Sequence, residues 1–270
     1  MAHVHKHFDG MAASGNAAPV ISVRNLRMGY GTRVLLDDAS FDVARGEVLV
    51  ILGGSGSGKS SLMKTIIGLY RPMAGDILID GASIVTANAD ERERLQRGLG
   101  VMYQSGALFG SLNVLENVRF PLDQFTDLTL AEKNLIARML LHQVEMGYAE
   151  SLMPGELSGG MLKRAGIARA MALGCDILLL DEPSAGLDPI TAANLDRTIL
   201  TLRENLGFTF VVVTHELHSI FNIADRAIML DPVSRSIIAE GKPAELRDHS
   251  PDARVRQFFN RQPDALMQSA

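Results

Sequence analysis

Apolar residues along this chain occur in short runs whose spacing changes from strand-like to helical. Two segments with strand patterns, Val20–Arg27 and Val34–Val43, flank the turn signal Gly29-Tyr30-Gly31 and predict a β-hairpin. Val48–Leu52 is continuously apolar, as expected of a buried strand, and a glycine-rich turn follows it. Lys59–Leu69 then has helical spacing. The apolar residues predicted to share one face of this helix are Leu62, Ile66 and Leu69. This strand–turn–helix order predicts the start of a parallel, doubly wound α/β unit.

The middle of the chain, from about residue 105 to residue 170, is helical in pattern and poorer in β-branched runs. Its clearest helical stretches are Leu128–Glu145 and Met161–Leu173. Strand patterns then return and alternate with helical ones. The predicted strands are Ile177–Leu180, Phe210–Thr214 and Ala227–Leu230, and the predicted helices are Ile190–Asn205 and Leu217–Ala224. We therefore expect one α/β core that is interrupted by a mostly helical insert.

The two ends of the chain differ from this pattern. Residues 1–18 have no periodicity and predict a disordered leader, so the main domain is expected over 19–248. In the remaining tail, 249–270, the segment Pro251–Phe259 predicts a short amphipathic helix. Its apolar face would carry Val255, Phe258 and Phe259.

Composition and charge narrow the class of protein. A chain of 270 residues that is 47% hydrophobic can bury a large core. It has neither the 18 or more consecutive apolar residues of a membrane span nor an N-terminal signal-peptide pattern. We therefore expect a cytosolic protein that reaches any membrane through a partner. The net charge of −5 argues against general nucleic-acid binding.

Two minor features each leave a choice between structure and chemistry. Cys175 is the sole cysteine, which excludes an intramolecular disulfide, and it is expected in the core, with a reactive thiol as the alternative. The histidines of the leader could hold a metal ion or belong to a solvated terminus. They are His3, His5 and His7.

The glycine-rich turn matches the phosphate-binding pattern G-x-x-x-x-G-K-[ST], with a strand before it and a helix after it. Glycines allow the backbone N–H groups to point at phosphate oxygens, and the helix start adds partial positive charge. Lys59 is expected to pair with the β- and γ-phosphates, and the Ser60 hydroxyl to coordinate Mg²⁺. The expected nucleotide-binding residues here are Gly53, Gly54, Ser55, Gly56, Ser57, Gly58, Lys59, Ser60 and Ser61.

A second chemical signal lies at the end of the predicted strand Ile177–Leu180, where Asp181 and Glu182 follow. The carboxyl end of a parallel strand faces the ligand crevice of an open α/β sheet. Asp181 therefore suits contact with Mg²⁺, and Glu182 suits polarising the water that attacks the γ-phosphate. Taken alone, either acid could instead cap the next segment or remain solvated.

Between these two sites, Leu157-Ser158-Gly159-Gly160-Met161 resembles the signature sequence of ABC-type ATPases. Taken alone, the tetrapeptide L-S-G-G within it could be a plain helix N-terminus. The resemblance implies a P-loop ABC cassette, with a mostly parallel sheet, an N-terminal antiparallel β part and a helical subdomain. It also implies a homodimer in which each signature contacts the ATP of the other copy. Ser158 and the backbone amides of Gly159 and Gly160, at the start of a helix, are expected to form a second anion-binding turn. Met161 stands where the commonest signature has glutamine, so the side-chain hydrogen bond of that residue is lost while this turn is expected to remain.

Four further positions resemble motifs of the same family. Tyr30 corresponds to the aromatic residue that stacks on adenine. Gln104 resembles the Q-loop glutamine, which contacts Mg²⁺ and the attacking water. Asp188 lies in the segment that resembles the D-loop, which contacts the opposite subunit, and His215 resembles the switch histidine that senses the γ-phosphate. The resemblance therefore assigns catalysis to Glu182, His215 and Gln104, and Mg²⁺ to Ser60, Gln104 and Asp181.

A narrower resemblance concerns the substrate. Three segments are similar to the ATPases of Mla and other MCE-domain lipid transporters of Gram-negative envelopes, namely Gln104–Phe109, Leu152–Met161 and Asp188–Thr191. This similarity implies a peripheral ATPase on the cytoplasmic face of the inner membrane. Its partners would be permease subunits, an MCE-domain protein and a small accessory subunit. In that group the tail reaches the partner ATPase. The alternatives are an importer of a small solute and, less favoured, an ABC ATPase acting on nucleic acid.

Overall fold

The computed structural model describes residues 18–261, so the predicted leader and its histidines lie outside the described residues. The strands are β1 Ile21–Tyr30, β2 Arg33–Val43, β3 Val48–Gly53, β4 Ala74–Ile79, β5 Ala82–Ser83, β6 Leu99–Met102, β7 Ile177–Asp181, β8 Thr209–Val213, β9 Arg226–Asp231 and β10 Ser236–Gly241. The helices are α1 Lys59–Ile66, α2 Ala89–Arg97, α3 Val114–Phe125, α4 Leu130–Gln143, α5 Gly159–Ala170, α6 Pro189–Leu206, α7 Leu217–Ile223, α8 Pro243–His249 and α9 Ala253–Phe259. Two short 3₁₀ helices, Gly147–Ala149 and Pro154–Glu156, lie between α4 and α5.

The larger sheet confirms the predicted parallel α/β core. Its strand order is β10-β9-β3-β8-β7-β6, and all neighbours are parallel except the edge pair of β10 and β9. Strands β3, β7 and β8 are buried at every position, as their continuous apolar sequences predict. The phosphate-binding turn follows β3, Asp181 is the last residue of β7, and Glu182 comes directly after it. Only β8 lies between β3 and β7, and the three strands are parallel. The phosphate-binding turn and the two acids therefore lie at the same carboxyl-terminal end of the sheet.

A second, four-stranded sheet of order β2-β1-β4-β5 is antiparallel throughout. The hairpin prediction for β1 and β2 is confirmed, but the turn is shorter than expected because Tyr30 still pairs with Arg33. Gly29 lies inside the hairpin, where a Cβ atom would stand 1.9 Å from the carbonyl oxygen of Arg33. The alternation pattern did not reveal β4, which pairs with the other edge of β1.

Helix α1 is shorter than its apolar periodicity predicts. It ends at Ile66, and Gly68 adopts a left-handed backbone with φ of 74°. The amide of Leu69 donates a hydrogen bond to the carbonyl oxygen of Lys64, which closes the helix end. As a result, Leu69 points away from the buried face that Leu62 and Ile66 share, and it is exposed. The prediction that Leu69 belongs to this face was wrong.

The segment between β6 and β7 is mostly helical, as expected. Helices α4 and α5 match the predicted stretches within a few residues, whereas α3 was not among the stretches singled out. Its start carries a sequence signal, because Asn113 and Glu116 form a reciprocal capping box. Buried side chains of these helices, including Val118, Leu141 and Ile167, join the core that packs on one face of the large sheet.

The tail contains the predicted amphipathic helix, α9. Val255 and Phe259 are buried against the domain that precedes them, and Phe258 is partly buried. The Phe259 ring lies 5.7 Å from the Phe221 ring of α7, and Arg254 forms an ion pair with Asp231 at 2.8 Å. Helix α9 therefore packs on its own domain. Residues 262–270 lie beyond the described part of the chain.

Candidate active site

The turn between β3 and α1 is shaped by three glycines with positive φ, namely Gly53 at 146°, Gly56 at 76° and Gly58 at 94°. Such angles are accessible to glycine at little cost and strain other residues. At Gly53 there is a second reason, because a Cβ atom would lie 2.5 Å from both the Leu230 carbonyl oxygen and the Ser57 hydroxyl. The resulting loop carries exposed residues Gly54, Ser55 and Gly56 and leads directly into α1.

Lys59 begins α1, and its side chain folds back over the loop. The ammonium donates hydrogen bonds to the carbonyl oxygens of Gly53 at 2.8 Å and Gly54 at 3.1 Å. Burial lowers the pKa of Lys59, while the nearby carboxylates of Glu182 and Asp181 raise it again. The net direction is a lowered pKa. The sheet thus places Lys59 close enough to Asp181 and Glu182 for their charges to interact.

Ser60 and Asp181 are the candidate cation ligands. The Ser60 hydroxyl donates a hydrogen bond to Oδ1 of Asp181 at 3.2 Å, across 121 positions of sequence. Burial raises the pKa of Asp181, the Ser60 hydrogen bond lowers it, and the Glu182 carboxylate raises it further. The pKa of Asp181 is therefore above its ordinary value. A positive charge placed beside Asp181 therefore stabilises its ionised form and lowers its pKa again.

Glu182 and His215 form the most direct contact between predicted catalytic residues. Nδ1 of His215 lies 2.8 Å from Oε1 of Glu182. Glu182 has φ of 49°, a left-handed backbone that is uncommon for a residue with a side chain, and its amide donates to the Val213 carbonyl oxygen at 2.8 Å. Strained backbones of this kind cluster at functional sites.

Two buried side-chain atoms at this edge, Ser57 Oγ and Glu182 Oε2, have no hydrogen-bond partner within the described residues. Buried polar atoms are normally paired, so such atoms mark a place where a polar ligand or water completes the set. The hydroxyl of Ser60 and the carboxylate of Asp181 are hard oxygen donors of the kind Mg²⁺ prefers, with phosphate oxygens and waters as further ligands. The residues present therefore fit a triphosphate with a bound magnesium ion.

Tyr30 lies at the edge of the same region and is about half exposed, at 48%. Its hydroxyl is 2.8 Å from the hydroxyl of Ser61, which connects the hairpin to α1. The ring also meets Tyr70 edge to face, with centroids 5.5 Å apart. The sequence analysis did not select Tyr70, because its contact with Tyr30 depends on where α1 ends, and no local pattern predicts that contact. An exposed aromatic face here can stack on a nucleotide base.

The predicted signature residues form the start of α5. Ser158 caps the helix, its hydroxyl accepting a hydrogen bond from the Met161 amide at 3.3 Å. Ser158 and Gly159 are exposed, whereas Leu157 and Met161 pack against the main core. The Met161 side chain therefore has an apolar packing role in place of a hydrogen bond.

The signature lies against α6. Gly160 has no room for a side chain, because a Cβ atom would lie 2.4 Å from Cγ2 of Thr191. Asp188 caps α6 and accepts hydrogen bonds from the amides of Ile190 and Thr191, both at 3.0 Å, and from the Thr191 hydroxyl at 2.5 Å. Ser158 and Gly160 line a cavity of about 110 Å³, together with four other residues. These are Arg164, Thr191, Asn194 and Leu195, and none belongs to the phosphate-binding loop.

Two further residues selected from the sequence, Gln104 and Cys175, differ in their exposure. The side chain of Gln104 is exposed, just past the end of β6. The backbone carbonyl oxygen of Gln104 accepts a hydrogen bond from the ammonium of Lys163, a residue that the sequence analysis did not select. Cys175 is buried, and burial raises the pKa of its thiol to about 12, which confirms a core residue and leaves little thiolate.

None of the helices between residues 18 and 261 has both the length and the apolar content needed to cross a bilayer. The profile of a family described as "ABC transporter" matches residues 36–185, which include the phosphate-binding loop, the signature and both acids. Asp188 and His215 lie beyond the matched segment.

Curated relatives extend the match over most of the chain. The probable ribonucleotide transport ATP-binding protein mkl of Mycobacterium leprae is 40% identical over 252 residues, which is 93% of this chain and 71% of the relative. The intermembrane phospholipid transport system ATP-binding protein MlaF of Escherichia coli K12 is 38% identical over 245 residues, 91% of this chain and 90% of the relative. MlaF of Haemophilus influenzae is also 38% identical, over 91% of this chain and 92% of that protein.

Solved structures share the fold. The structure of cbiO1 from Clostridium perfringens, part of an ABC transporter complex, has a TM-score of 0.79 and 26% identity, covering 86% of this chain and 91% of that one. The dimeric cassette MJ0796 in a post-hydrolysis state bound to ADP and Pi has a TM-score of 0.73 and 30% identity, covering 82% and 98%. Together with the family match and the geometry of the site, these similarities establish that the chain belongs to the ATP-binding subunits of ABC transporters and is an ATPase of that family.

Proposed function

We propose that two copies of this chain bind two Mg-ATP between them, hydrolyse the nucleotide and drive a membrane permease that moves phospholipid. The observation that carries the dimer is the separation of two anion-binding turns within one chain. The phosphate-binding loop faces the edge where Asp181 and Glu182 lie, whereas Ser158 is exposed and shares its cavity with α6. A second copy placed head to tail lets each Ser158 reach the phosphate held by the other copy, in a closed, symmetric pair. The dimeric structures of MJ0796 support this arrangement.

Within each site, the chain's own residues divide the work. The loop amides and Lys59 hold the phosphates, Tyr30 contacts the base, and Ser60, Asp181 and Gln104 hold the cation. Bound magnesium neutralises charge on the phosphate oxygens. Glu182 accepts the proton of the attacking water, and His215 orients its carboxylate through the 2.8 Å contact.

Energy coupling follows from a difference in affinity. ATP drives closure only if it binds the closed dimer more tightly than the open one, since a ligand with equal affinity shifts no equilibrium. The exposed start of α5 supplies that difference, because Ser158 completes the phosphate site only when the two copies meet. Closure then moves the helical subdomain against cytoplasmic helices of the permease, and phosphate release reopens the dimer.

Phospholipid is proposed as the cargo because the MlaF relatives align over about nine-tenths of both chains. The setting that follows is the cytoplasmic face of a Gram-negative inner membrane, with permease subunits, an MCE-domain protein and a small accessory subunit as partners. A ribonucleotide or another small solute is the second candidate, which the similarity to mkl supports. The ATP chemistry is the same for both, since the membrane subunits select the cargo.

The test is to purify the chain with its native membrane partners and to identify the molecules that co-purify. The complex is then placed in vesicles, and ATP hydrolysis is measured with phospholipid or with ribonucleotides as the added cargo. Co-purified phospholipid, together with ATP hydrolysis that phospholipid stimulates and that the Lys59→Ala complex lacks, supports the proposal. Stimulation by ribonucleotides alone supports the second candidate, and stimulation by DNA or ribosomes contradicts both.

A further inference from the structure

Lys163 is a buried basic residue close to the proposed hydrolytic site. It lies in α5, five positions after Ser158, and only 5% of the residue is exposed. Its ammonium donates a hydrogen bond to the carbonyl oxygen of Gln104 and another to the carbonyl oxygen of Glu182, the latter at 3.2 Å. One side chain of α5 therefore contacts the backbone of two residues with proposed roles in hydrolysis, 19 and 59 positions away.

A buried ammonium is costly unless its donors are satisfied. The two acceptors are backbone carbonyl oxygens, which fix a position in space more rigidly than flexible side chains do. Burial lowers the pKa of Lys163, and the Glu182 and Asp181 carboxylates act in the opposite direction. The two hydrogen bonds offset part of the cost of burying the ammonium.

A second cation of the same helix holds the same loop. Arg169 donates hydrogen bonds to the carbonyl oxygens of Ala107 at 2.7 Å and Gly106 at 2.9 Å. The two backbones also approach closely, because a Cβ atom at Gly166 would lie 3.3 Å from the Cα atom of Gly106. The loop that follows β6 is thus held to α5 at Gln104, Gly106 and Ala107, in addition to its connection to the strand.

We propose that Lys163 is a positioning residue that ties Gln104 and Glu182 to the helix that begins at Ser158. Arg169 keeps the rest of the loop on α5, so Gln104 moves with that helix. Glu182 belongs to the β core, and Lys163 contacts it from α5. When a second copy contacts Ser158 and displaces α5, Lys163 transmits that displacement to Gln104 and Glu182. This inference rests on the proposed function, because it concerns the same hydrolytic site.

The test compares Lys163→Met, which keeps the length of the side chain but removes all its donors, with Lys163→Arg, which restores cationic donors. Lys133→Met is the matched control, since Lys133 is also mostly buried, with 13% side-chain exposure, and pairs with Asp123 at 3.6 Å in the helical subdomain. The measurements are kcat and KM for ATP, nucleotide affinity, melting temperature, and amide hydrogen exchange over residues 103–108. The Gly106 amide, which donates to the Tyr103 carbonyl oxygen at 2.8 Å, is the most informative probe.

We expect Lys163→Met to lower kcat by roughly tenfold to a hundredfold, because small misplacements of reacting groups have effects of that order. KM and nucleotide affinity should change less than about twofold, and exchange at Gly106 should rise by about tenfold. Lys163→Arg should recover a large part of kcat, and Lys133→Met should leave kcat and exchange at Gly106 unchanged. Unchanged kcat in Lys163→Met, or equal effects in both methionine variants, overturns the inference. A parent protein that binds ATP without hydrolysing it overturns the proposed function instead.

Discussion

His215 Nδ1 lies 2.8 Å from Oε1 of Glu182, while Oε2 of the same carboxylate is buried and has no partner within the described residues. His215 therefore fixes Oε1 of Glu182 by a hydrogen bond, and Oε2 keeps its orientation without a hydrogen-bond partner of its own among the described residues. An atom in this state is suited to accept a hydrogen bond from a water molecule. The left-handed backbone of Glu182, with φ of 49°, aims the carboxylate in this direction.

Replacing Glu182 with glutamine removes the proton acceptor but keeps the shape of the side chain. We expect Glu182→Gln to bind ATP as the parent does and to lose at least about a hundredfold in turnover, the order of a general-base contribution. With hydrolysis stopped, ATP should hold a dimer that is visible by size-exclusion chromatography. Glu204→Gln, at an exposed position of α6, is the control. Turnover of Glu182→Gln close to the parent rate would falsify the role assigned to Glu182.

Head-to-tail pairing predicts complementation between two inactive variants. Lys59→Ala removes the lysine of the phosphate loop, and Ser158→Arg blocks the exposed turn at the start of α5. Each variant alone has two defective composite sites. A mixed dimer contains one intact site, because Lys59 of one copy meets Ser158 of the other. Hydrolysis by the mixture should exceed the sum of the separate rates, and a mixture no more active than its components contradicts the dimer.

The contact between Gly160 and Thr191 predicts a stability effect that depends on the pair. Gly160→Ala places a methyl group 2.4 Å from Cγ2 of Thr191 and should cost about 1–3 kcal/mol of unfolding free energy, as overpacking does. Thr191→Ser in the same chain removes Cγ2 and keeps the hydroxyl that donates to Asp188, so it should restore most of the loss. Gly110→Ala is the control, since a Cβ atom there meets nothing within 4 Å. Thermal and denaturant unfolding give the free energy of unfolding of the parent and of the three variants. If the double variant is no more stable than Gly160→Ala, the steric explanation is contradicted.

The raised pKa of Asp181 predicts that the carboxylate destabilises the nucleotide-free protein. Because the folded pKa lies above the unfolded value of 3.8, the unfolded chain loses its proton first as pH rises. The contribution of Asp181 to stability therefore falls as pH increases from about that value through the folded pKa, and it stays low at neutral pH. Asp181→Asn should raise the melting temperature of the nucleotide-free protein at pH 7 and abolish hydrolysis.

Asp188→Asn provides a contrast of opposite sign. Hydrogen bonds from Thr191 hold the pKa of Asp188 below its ordinary value, so its contribution is present at neutral pH and is lost as pH falls through the folded pKa. Asp188→Asn should therefore lower the melting temperature at pH 7. If Asp181→Asn also lowers the melting temperature, the prediction that the Asp181 carboxylate destabilises the folded protein is wrong.

The sequence by itself determined the features that depend on neighbouring residues. The glycines and Lys59 of the phosphate loop, the apolar strand before it, and the acids that end β7 follow one another along the chain, so their chemistry can be read from spacing. The order of strands and helices likewise predicted the parallel core and the helical subdomain. The end of α1 did not follow from periodicity, because the left-handed backbone of Gly68 terminates the helix while the apolar pattern continues to Leu69.

Only the tertiary structure decided which distant residues meet. The Lys163 ammonium contacts carbonyl oxygens of Gln104 and Glu182, and backbone carbonyls leave no mark in the identity of either residue. In the same way, the Tyr30 ring meets Tyr70, and β4 pairs with β1, through contacts between segments that no local pattern connects. Local propensity and spacing act within a few residues, whereas these contacts arise when sheets and helices pack around a common core. The residues that predict the chemistry of the site could therefore be identified from the sequence, but the contacts that position them could not.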